Sequence, residues 1–247
     1  MPANWKLEYG ANVLAEGGVT FRAWAPCVRE LAVRVLSPSA HTVAMHPQEG
    51  SVFEVTVPDA RPGVDYYYVL DGAKERPDPA SRWQPSGVHG PSRVVDPRAF
   101  SWSDHGWDGI PLDDLVIYEL HVGTFSAAGT FAGVAARLPY LRELGVTAVE
   151  LMPVAEFPGN RNWGYDGAHP FAPHSSYGGP DGLKRLVEAA HRSGLGIILD
   201  VVYNHLGPEG NYLGEYGPYF SNRYKTPWGE ALNFDGPESD QVRRHFV

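Results

Sequence analysis

The chain has 247 residues, of which 43% are hydrophobic and 20% are charged, a balance that excludes an intrinsically disordered protein. Its formal net charge of -9 offers no basic face to a phosphate backbone, so we expect no nucleic-acid partner. Cys27 is the single cysteine, which excludes an internal disulfide, and we expect it to pack as a small buried hydrophobe.

The chain begins without the features of a targeting segment. Residues 1–6 lack the apolar core of a signal peptide, and no stretch of the sequence is as long and apolar as a membrane span. We therefore expect a cytoplasmic protein with no membrane partner.

The first hundred residues contain short segments in which apolar and polar side chains alternate between turn residues. Such alternation is typical of half-buried strands, and the spacing predicts an antiparallel β-sandwich over residues 1–100. The predicted strands are 19–24, 31–36, 52–57 and 66–70. We expect this sandwich to be the more independent folding unit of the chain. Its Trp24, with Trp83 and Trp102 beyond it, is expected to pack against protein rather than to stack on sugar.

The stretch 76–109 is rich in Pro, Gly and Ser and is predicted to be a linker into a second domain, residues 101–247. That second region alternates apolar strands with helical patterns. The predicted strands are 115–121, 148–152 and 196–202, and the predicted helices follow Thr130 and end at Gly145 and Gly194. Pro139 falls inside the first helical pattern and is expected to kink it. Strand and helix in alternation indicate a parallel sheet, either an open doubly wound sheet or a closed eight-fold barrel.

Polar side chains follow the third predicted strand directly. Asp200, Asn204 and His205 come after the apolar run that begins at Gly196. A carboxylate at this position requires hydrogen bonds, an ion pair or a cleft. The alternative is a loop whose Asp and Asn only cap turns.

Four blocks of sequence resemble, in order and spacing, those of the α-amylase superfamily. They are residues 116–125, 151–154, 162–167 and 200–205. Within that superfamily, the stretches 156–167 and 224–235 most resemble the maltooligosyltrehalose trehalohydrolases, with glycogen branching enzymes as near relatives. The resemblance implies a β-sandwich similar to a carbohydrate-binding module, followed by the first three β/α units of a (β/α)8 TIM barrel that is truncated before its fourth strand.

The same resemblance implies a glycoside hydrolase that releases trehalose from maltooligosyltrehalose. Its nucleophile Asp and acid Glu belong to blocks that this sequence does not contain, so they are expected beyond Val247. We therefore expect the chain alone to be inactive. A branching-type glycosyltransferase and a non-catalytic glucan-binding fragment remain as alternatives.

The resemblance also assigns substrate-binding roles. Tyr165 is expected to stack beneath a glucose ring, and His205 to bind the primary hydroxyl of that ring. Asp200 is expected to hold an Arg from outside this chain, and Asn204 to brace the loop. The complete set of candidate substrate-binding residues is Trp163, Tyr165, Asp166, Asp200, Asn204 and His205. An α-glucan is the expected partner, and the complete protein is expected to be a monomer.

No metal or other cofactor is expected, because one Asn falls far short of the six to eight oxygens that calcium prefers. His169 and His174 have no recognised zinc spacing and are predicted to lie on a loop. His121 either lines the pocket floor or packs in the core. The aromatic residues between 212 and 228 either line outer glucose subsites or form a loop packed on itself.

Overall fold

The amino-terminal region is a β-sandwich, as the alternating segments predict. In the computed structural model, which describes residues 8–246, two antiparallel sheets have the strand orders β1-β2-β6-β5 and β4-β3-β7-β8, and β9 pairs with β7. Fully buried Phe21 and Val33 lie in its core. The strands are β1 Gly10–Val13, β2 Val19–Trp24, β3 Leu31–Val35, β4 His41–Ala44, β5 His46–Pro47, β6 Val52–Val57, β7 Asp65–Leu70, β8 Lys74–Arg76 and β9 Ser92–Arg93.

The prediction of a linker over 76–109 is wrong for its first half. Residues 77–94 contain β9 and pack on the sandwich, where Asp78 is completely buried. The Asp78 carboxylate accepts hydrogen bonds from the Tyr66 hydroxyl at 2.6 Å and the Ala80 amide at 2.7 Å. A turn-rich segment can be buried when its polar groups are paired in this way, and composition alone does not reveal such pairing.

The second region contains a parallel three-stranded sheet with the order β10-β11-β14. Glu119 of β10 lies beside Glu150 of β11, which lies beside Ile198 of β14. The elements of this region are β10 Ile117–Leu120, α1 Val122–Phe125, α2 Phe131–Ala135, α3 Leu138–Glu143, β11 Ala148–Leu151, β12 Ala155–Glu156, β13 His169–Pro173, α4 Gly179–Arg192, β14 Gly196–Leu199, α5 Leu213–Tyr216, β15 Phe220–Thr226, β16 Gly229–Leu232 and α6 Ser239–Phe246.

The first helix and the strand ends in this region differ from the sequence prediction. The first predicted helix is divided into α2 and α3, because Pro139 stands in the first turn of α3, where its missing amide hydrogen does no harm. The predicted cap is confirmed, since the Thr130 hydroxyl accepts a hydrogen bond from the Gly133 amide at 3.1 Å. The third strand ends at Leu199 rather than at residue 202, so Asp200 already belongs to the loop.

Segments after Gly207 pack on the sandwich and do not form a separate layer. The sandwich core continues into Leu213, Tyr216, Tyr219 and Phe246. Tyr216 and Tyr219 are almost completely buried, so these two residues of the aromatic stretch are core residues. The sandwich therefore shares its apolar core with segments near the end of the chain, and its expected independence stays a prediction.

Two single-residue predictions are wrong. Cys27 is exposed because it lies in the turn between β2 and β3, held by a hydrogen bond from its backbone amide to the Tyr216 carbonyl at 2.9 Å. His169 is the first residue of β13 and is buried, not part of a loop. His174 follows that strand and caps a short 3-10 turn.

No helix among residues 8–246 has the length and apolarity needed to cross a membrane.

Candidate functional site

A cavity of about 1190 Å³ opens where the parallel strands end. Carboxyl ends of parallel strands are the usual place for ligand sites in α/β folds, because the loops that follow converge there. All six predicted substrate-binding residues line this cavity. The full lining is His121, Gly123, Thr124, Asn160, Arg161, Asn162, Trp163, Tyr165, Asp166, Asp200, Val201, Val202, Asn204, His205 and Trp228.

Tyr165 and Asp200 meet across the cavity from neighbouring loops. The Tyr165 hydroxyl donates to Asp200 Oδ2 at 3.4 Å. Burial, followed by the negative charges of Asp200, Glu119 and Glu150, raises the pKa of Tyr165, so its hydroxyl stays protonated at neutral pH. Tyr165 is 38% exposed, so part of its surface is accessible to a ligand.

His205 is the most buried member of the predicted set, with 5% of its surface exposed. Its Nε2 donates to the Tyr165 carbonyl at 3.0 Å, which makes Nδ1 the unprotonated nitrogen of the neutral ring. Among the described residues, Nδ1 has no hydrogen-bond partner. One buried acceptor beside the cavity is thus left unpaired.

The loop that carries Trp163, Tyr165 and Asp166 folds around Asn162. The Asn162 side chain donates to Asp166 Oδ2 at 3.0 Å and accepts from the Gly164 amide at 2.7 Å. Gly164 has φ of +101°, and a Cβ there would lie 2.1 Å from the Pro153 carbonyl oxygen. Only glycine fits this tight turn, which aims the flanking side chains at the cavity.

Two exposed indole rings stand at the rim of the cavity. Trp163 is 74% exposed and Trp228 is 64% exposed. Trp228 lies in the turn between β15 and β16, far along the chain from the other lining residues. Of the aromatic stretch 212–228, Trp228 is the residue that reaches this cavity, and only the pairing of the hairpin brings it there.

His121 lines the cavity and also supports it, which decides between the two predicted roles. Its Nε2 donates to the Asn162 carbonyl at 2.7 Å, and its Nδ1 lies 3.1 Å from the Thr124 hydroxyl. Arg161 and Asn162 also line the cavity, and sequence reasoning assigned them no role. Their only signal was their position inside the stretch 156–167.

Asn204 joins the cavity loop to the hairpin through its backbone. Its carbonyl accepts a hydrogen bond from the Leu232 amide of β16 at 3.2 Å. Within residues 8–246, no group of three or more His, Cys, Asp or Glu side chains is arranged to hold a metal ion.

Comparisons with known proteins agree with this architecture. Residues 94–228 match the model of the α-amylase catalytic domain. The chain belongs to the α-amylase family. Residues 8–97 match carbohydrate-binding module 48, the isoamylase N-terminal domain, which corresponds to the sandwich.

One curated relative and one solved structure each match nearly the whole chain. A malto-oligosyltrehalose trehalohydrolase of Saccharolobus solfataricus is 52% identical over 234 residues, covering 95% of this chain and 41% of the relative. The crystal structure of a putative α-amylase from Salmonella typhimurium superposes with a TM-score of 0.92 at 43% identity, covering 98% of this chain and 40% of that chain.

A third relative was crystallised with a glucan. The pullulanase of Anoxybacillus sp. LM18-11 in complex with maltotetraose superposes with a TM-score of 0.78 at 27% identity, covering 99% of this chain and 42% of the pullulanase. The predicted resemblance is confirmed. The chain spans about two fifths of the length of the relatives that it matches.

Proposed function

We propose that this chain supplies the glucan-binding wall of a glycoside hydrolase active site, and that the complete protein releases trehalose from maltooligosyltrehalose. The observation that carries this proposal is the convergence of all six predicted residues on one cavity. The proposal takes its substrate from the named trehalohydrolase relative. A cavity with aromatic faces and a few directed polar groups suits a sugar, which has an apolar ring face and a rim of hydroxyls.

Within this cavity we assign roles by the contacts that each side chain makes. Tyr165 stacks beneath a glucose ring, while its hydrogen bond to Asp200 fixes the ring plane. His205 binds a sugar hydroxyl through Nδ1, the buried nitrogen that lacks a protein partner, once the side chains around it move to admit the sugar. Asp200 has a second carboxylate oxygen available for an Arg supplied from outside this chain.

The proposed chemistry is retaining hydrolysis by two carboxyl groups roughly 5–5.5 Å apart. One carboxylate attacks the anomeric carbon, the other carboxyl group protonates the leaving oxygen, and water then resolves the glycosyl ester. We do not assign these roles to Asp166 and Asp200, because they already hold Asn162 and Tyr165 in place. The nucleophile and the acid are proposed to come from sequence that these 247 residues do not contain.

Measuring trehalose release tests the proposal. Purified chain is incubated with maltopentaosyl-trehalose in parallel with a protein extended to the full length of the relatives, and trehalose is quantified. We expect release by the extended protein and none by the 247-residue chain. Dose-dependent trehalose release by the chain alone would contradict the proposal that the nucleophile and the acid lie outside these 247 residues. A branched glucan as the main product of the extended protein would favour a branching-type transferase.

A further inference from the structure

A buried carboxyl and imidazole pair lies behind the cavity and takes no part in the roles assigned above. Glu156 of β12 and His174 are each almost completely buried. Glu156 Oε1 lies 3.7 Å from His174 Nε2. The Glu156 carboxylate also accepts hydrogen bonds from Ser175, from the amide at 2.7 Å and from the hydroxyl at 3.1 Å.

The protonation state of His174 follows from its partners. Its Nδ1 accepts a hydrogen bond from the Ser176 amide at 3.0 Å, and a backbone N–H can only donate. The proton of the neutral ring is therefore on Nε2, which faces Glu156 and the Phe157 carbonyl, 3.3 Å away. Burial lowers the pKa of His174 and keeps the ring neutral at physiological pH.

This pair is connected to the cavity through one tyrosine. Two histidines hold the ends of the loop segment 157–162. His174 contacts the Phe157 carbonyl, and His121 contacts the Asn162 carbonyl. Tyr177 stands between the two histidines, because its hydroxyl lies 3.1 Å from His121 Nε2 and its ring centroid lies 5.1 Å from that of His174. The segment between these two anchors carries Arg161 into the cavity.

We propose that the buried Glu156–His174 pair positions the pocket loop, residues 157–167, for glucan binding, an inference that rests on the function proposed above. The Glu156 oxygens accept from the Ser175 amide and the Ser175 hydroxyl. Oε1 lies 3.7 Å from His174 Nε2, beyond hydrogen-bond distance, so the Nε2 proton is donated to the Phe157 carbonyl. An ionised Glu156 is a buried charge beside a neutral ring and competes with the Phe157 carbonyl for the Nε2 proton, so ionisation weakens the His174 anchor on the loop and protonation restores it. The positioning therefore depends on the charge of Glu156.

The pKa of Glu156 sets the pH range in which this dependence is expected. Burial raises the pKa of Glu156 to about 7, although its hydrogen bonds from Ser175 oppose the rise. The titratable groups that face the pair are Tyr177, His169 and, behind Tyr177, His121. Tyr177 stays protonated in this range because burial raises its pKa to about 12. His169, the cross-strand partner of Glu156 on β13, stays neutral because burial lowers its pKa to about 4. Because the pKa is raised in the folded chain, the ordered loop favours the protonated carboxyl of Glu156. We therefore expect the loop to become less ordered, and glucan affinity to fall, as the pH rises from 6 to 8.

Two measurements on the 247-residue chain test the proposal. Hydrogen exchange of the amides in 157–167, corrected for the intrinsic effect of pH and referenced to strand β6, reports loop order without a ligand. Calorimetric titration with maltopentaose reports affinity. For the wild type we expect exchange to accelerate and affinity to fall, each by about tenfold, between pH 6 and pH 8, since ionising a buried carboxyl group whose pKa is raised costs about one power of ten or more.

Glu156→Gln mimics the protonated side chain at nearly constant volume. Its loop exchange and affinity should stay at the wild-type pH 6 level throughout, whereas Glu143→Gln, at an exposed position of α3, should follow the wild-type profile. A Glu156→Gln profile that still follows the wild type would overturn the proposal. If the wild type binds no maltopentaose, the proposed glucan site fails, while the pH dependence of loop exchange still decides whether the pair positions the loop.

Discussion

The imidazole ring of His205 stacks on the indole ring of Trp228, with centroids 5.6 Å apart and planes inclined by 22°. His205 follows β14, whereas Trp228 lies in the turn of the β15–β16 hairpin. The indole ring of Trp228 therefore closes one side of the cavity, although it belongs to the hairpin and not to the loops that follow the parallel strands. If the cavity binds a glucan, Trp228 belongs to its binding surface.

Removal of this ring is expected to weaken binding. Trp228→Ala removes an exposed aromatic face and uncovers His205, and we expect maltopentaose affinity to fall by about tenfold, equivalent to ~1.4 kcal/mol. Isothermal titration calorimetry measures the change. Trp102→Ala is the matched control, because Trp102 is also exposed but packs on Phe100 outside the cavity. Equal affinities for Trp228→Ala and the wild type would exclude Trp228 from the site.

The turn at Gly164 should tolerate no side chain. A Cβ at this position meets the Pro153 carbonyl oxygen at 2.1 Å, so Gly164→Ala must displace the loop that carries Tyr165. We expect a loss of ~2–4 kcal/mol in the free energy of unfolding, since backbone strain and a steric clash add. Urea denaturation measures this loss.

Gly159→Ala separates the clash from the backbone strain in the same loop. Gly159 also has a positive φ, +76°, but no atom lies within 4 Å of its Cβ position. Its substitution should cost only ~1 kcal/mol. Similar losses for the two variants would show that the contact with Pro153 is relieved without difficulty.

Acid should destabilise the shared core through His245. This residue of α6 is buried among Tyr9, Phe171 and Tyr219, with ring centroids 5.1 to 5.9 Å away. Burial lowers the pKa of His245 to about 3, although the nearby Pro79 carbonyl opposes the shift. In the unfolded chain the same group titrates near 6.5. Its contribution to stability is therefore present above pH 6.5 and is lost as the pH falls toward 3.

The size of this effect follows from linkage. Between pH 6.5 and pH 5 the expected loss is ~2 kcal/mol in the free energy of unfolding. His245→Phe keeps a ring of similar size without the proton equilibrium. Its stability relative to the wild type should increase as the pH falls, measured by urea denaturation at pH 7 and pH 5. A difference that does not change with pH would contradict this interpretation.

The chain should unfold as one unit. The sandwich core includes Tyr216, Tyr219 and Phe246, so separation of the sandwich from the rest would expose these rings to water. We expect coincident thermal transitions by far-ultraviolet circular dichroism and tryptophan fluorescence, and no early proteolytic cleavage within 77–94. Two resolved transitions, or a stable fragment that ends in this segment, would favour an independent sandwich.

Local patterns predicted much of the fold, because they report burial directly. Alternation in 52–57 and the cap at Thr130 both act within a few residues, and both predictions agree with the structure. The exposure of Cys27 and the burial of Asp78 could not be predicted in this way. They depend on which distant segments cover them, and composition carries no information on that.

The candidate site shows the same limit. Asp200 and Tyr165 were predicted from the motif blocks and line one cavity. The role of Trp228 stayed open between an outer glucose subsite and a self-packed loop, because its position depends on a hairpin register. The Glu156–His174 pair was not assigned, because it depends on two segments that meet in the interior. Both are tertiary relationships between residues that are not adjacent in any motif.

The central claim is that the cavity around Tyr165 binds an α-glucan, and calorimetric titration of the chain with maltopentaose tests it most directly. We predict saturable binding to the wild type, a loss of affinity of at least about tenfold in Tyr165→Ala, and no change in Tyr140→Ala, whose ring is 55% exposed on α3 away from the cavity. Wild-type affinity in Tyr165→Ala, or equal losses in both variants, would contradict the claim.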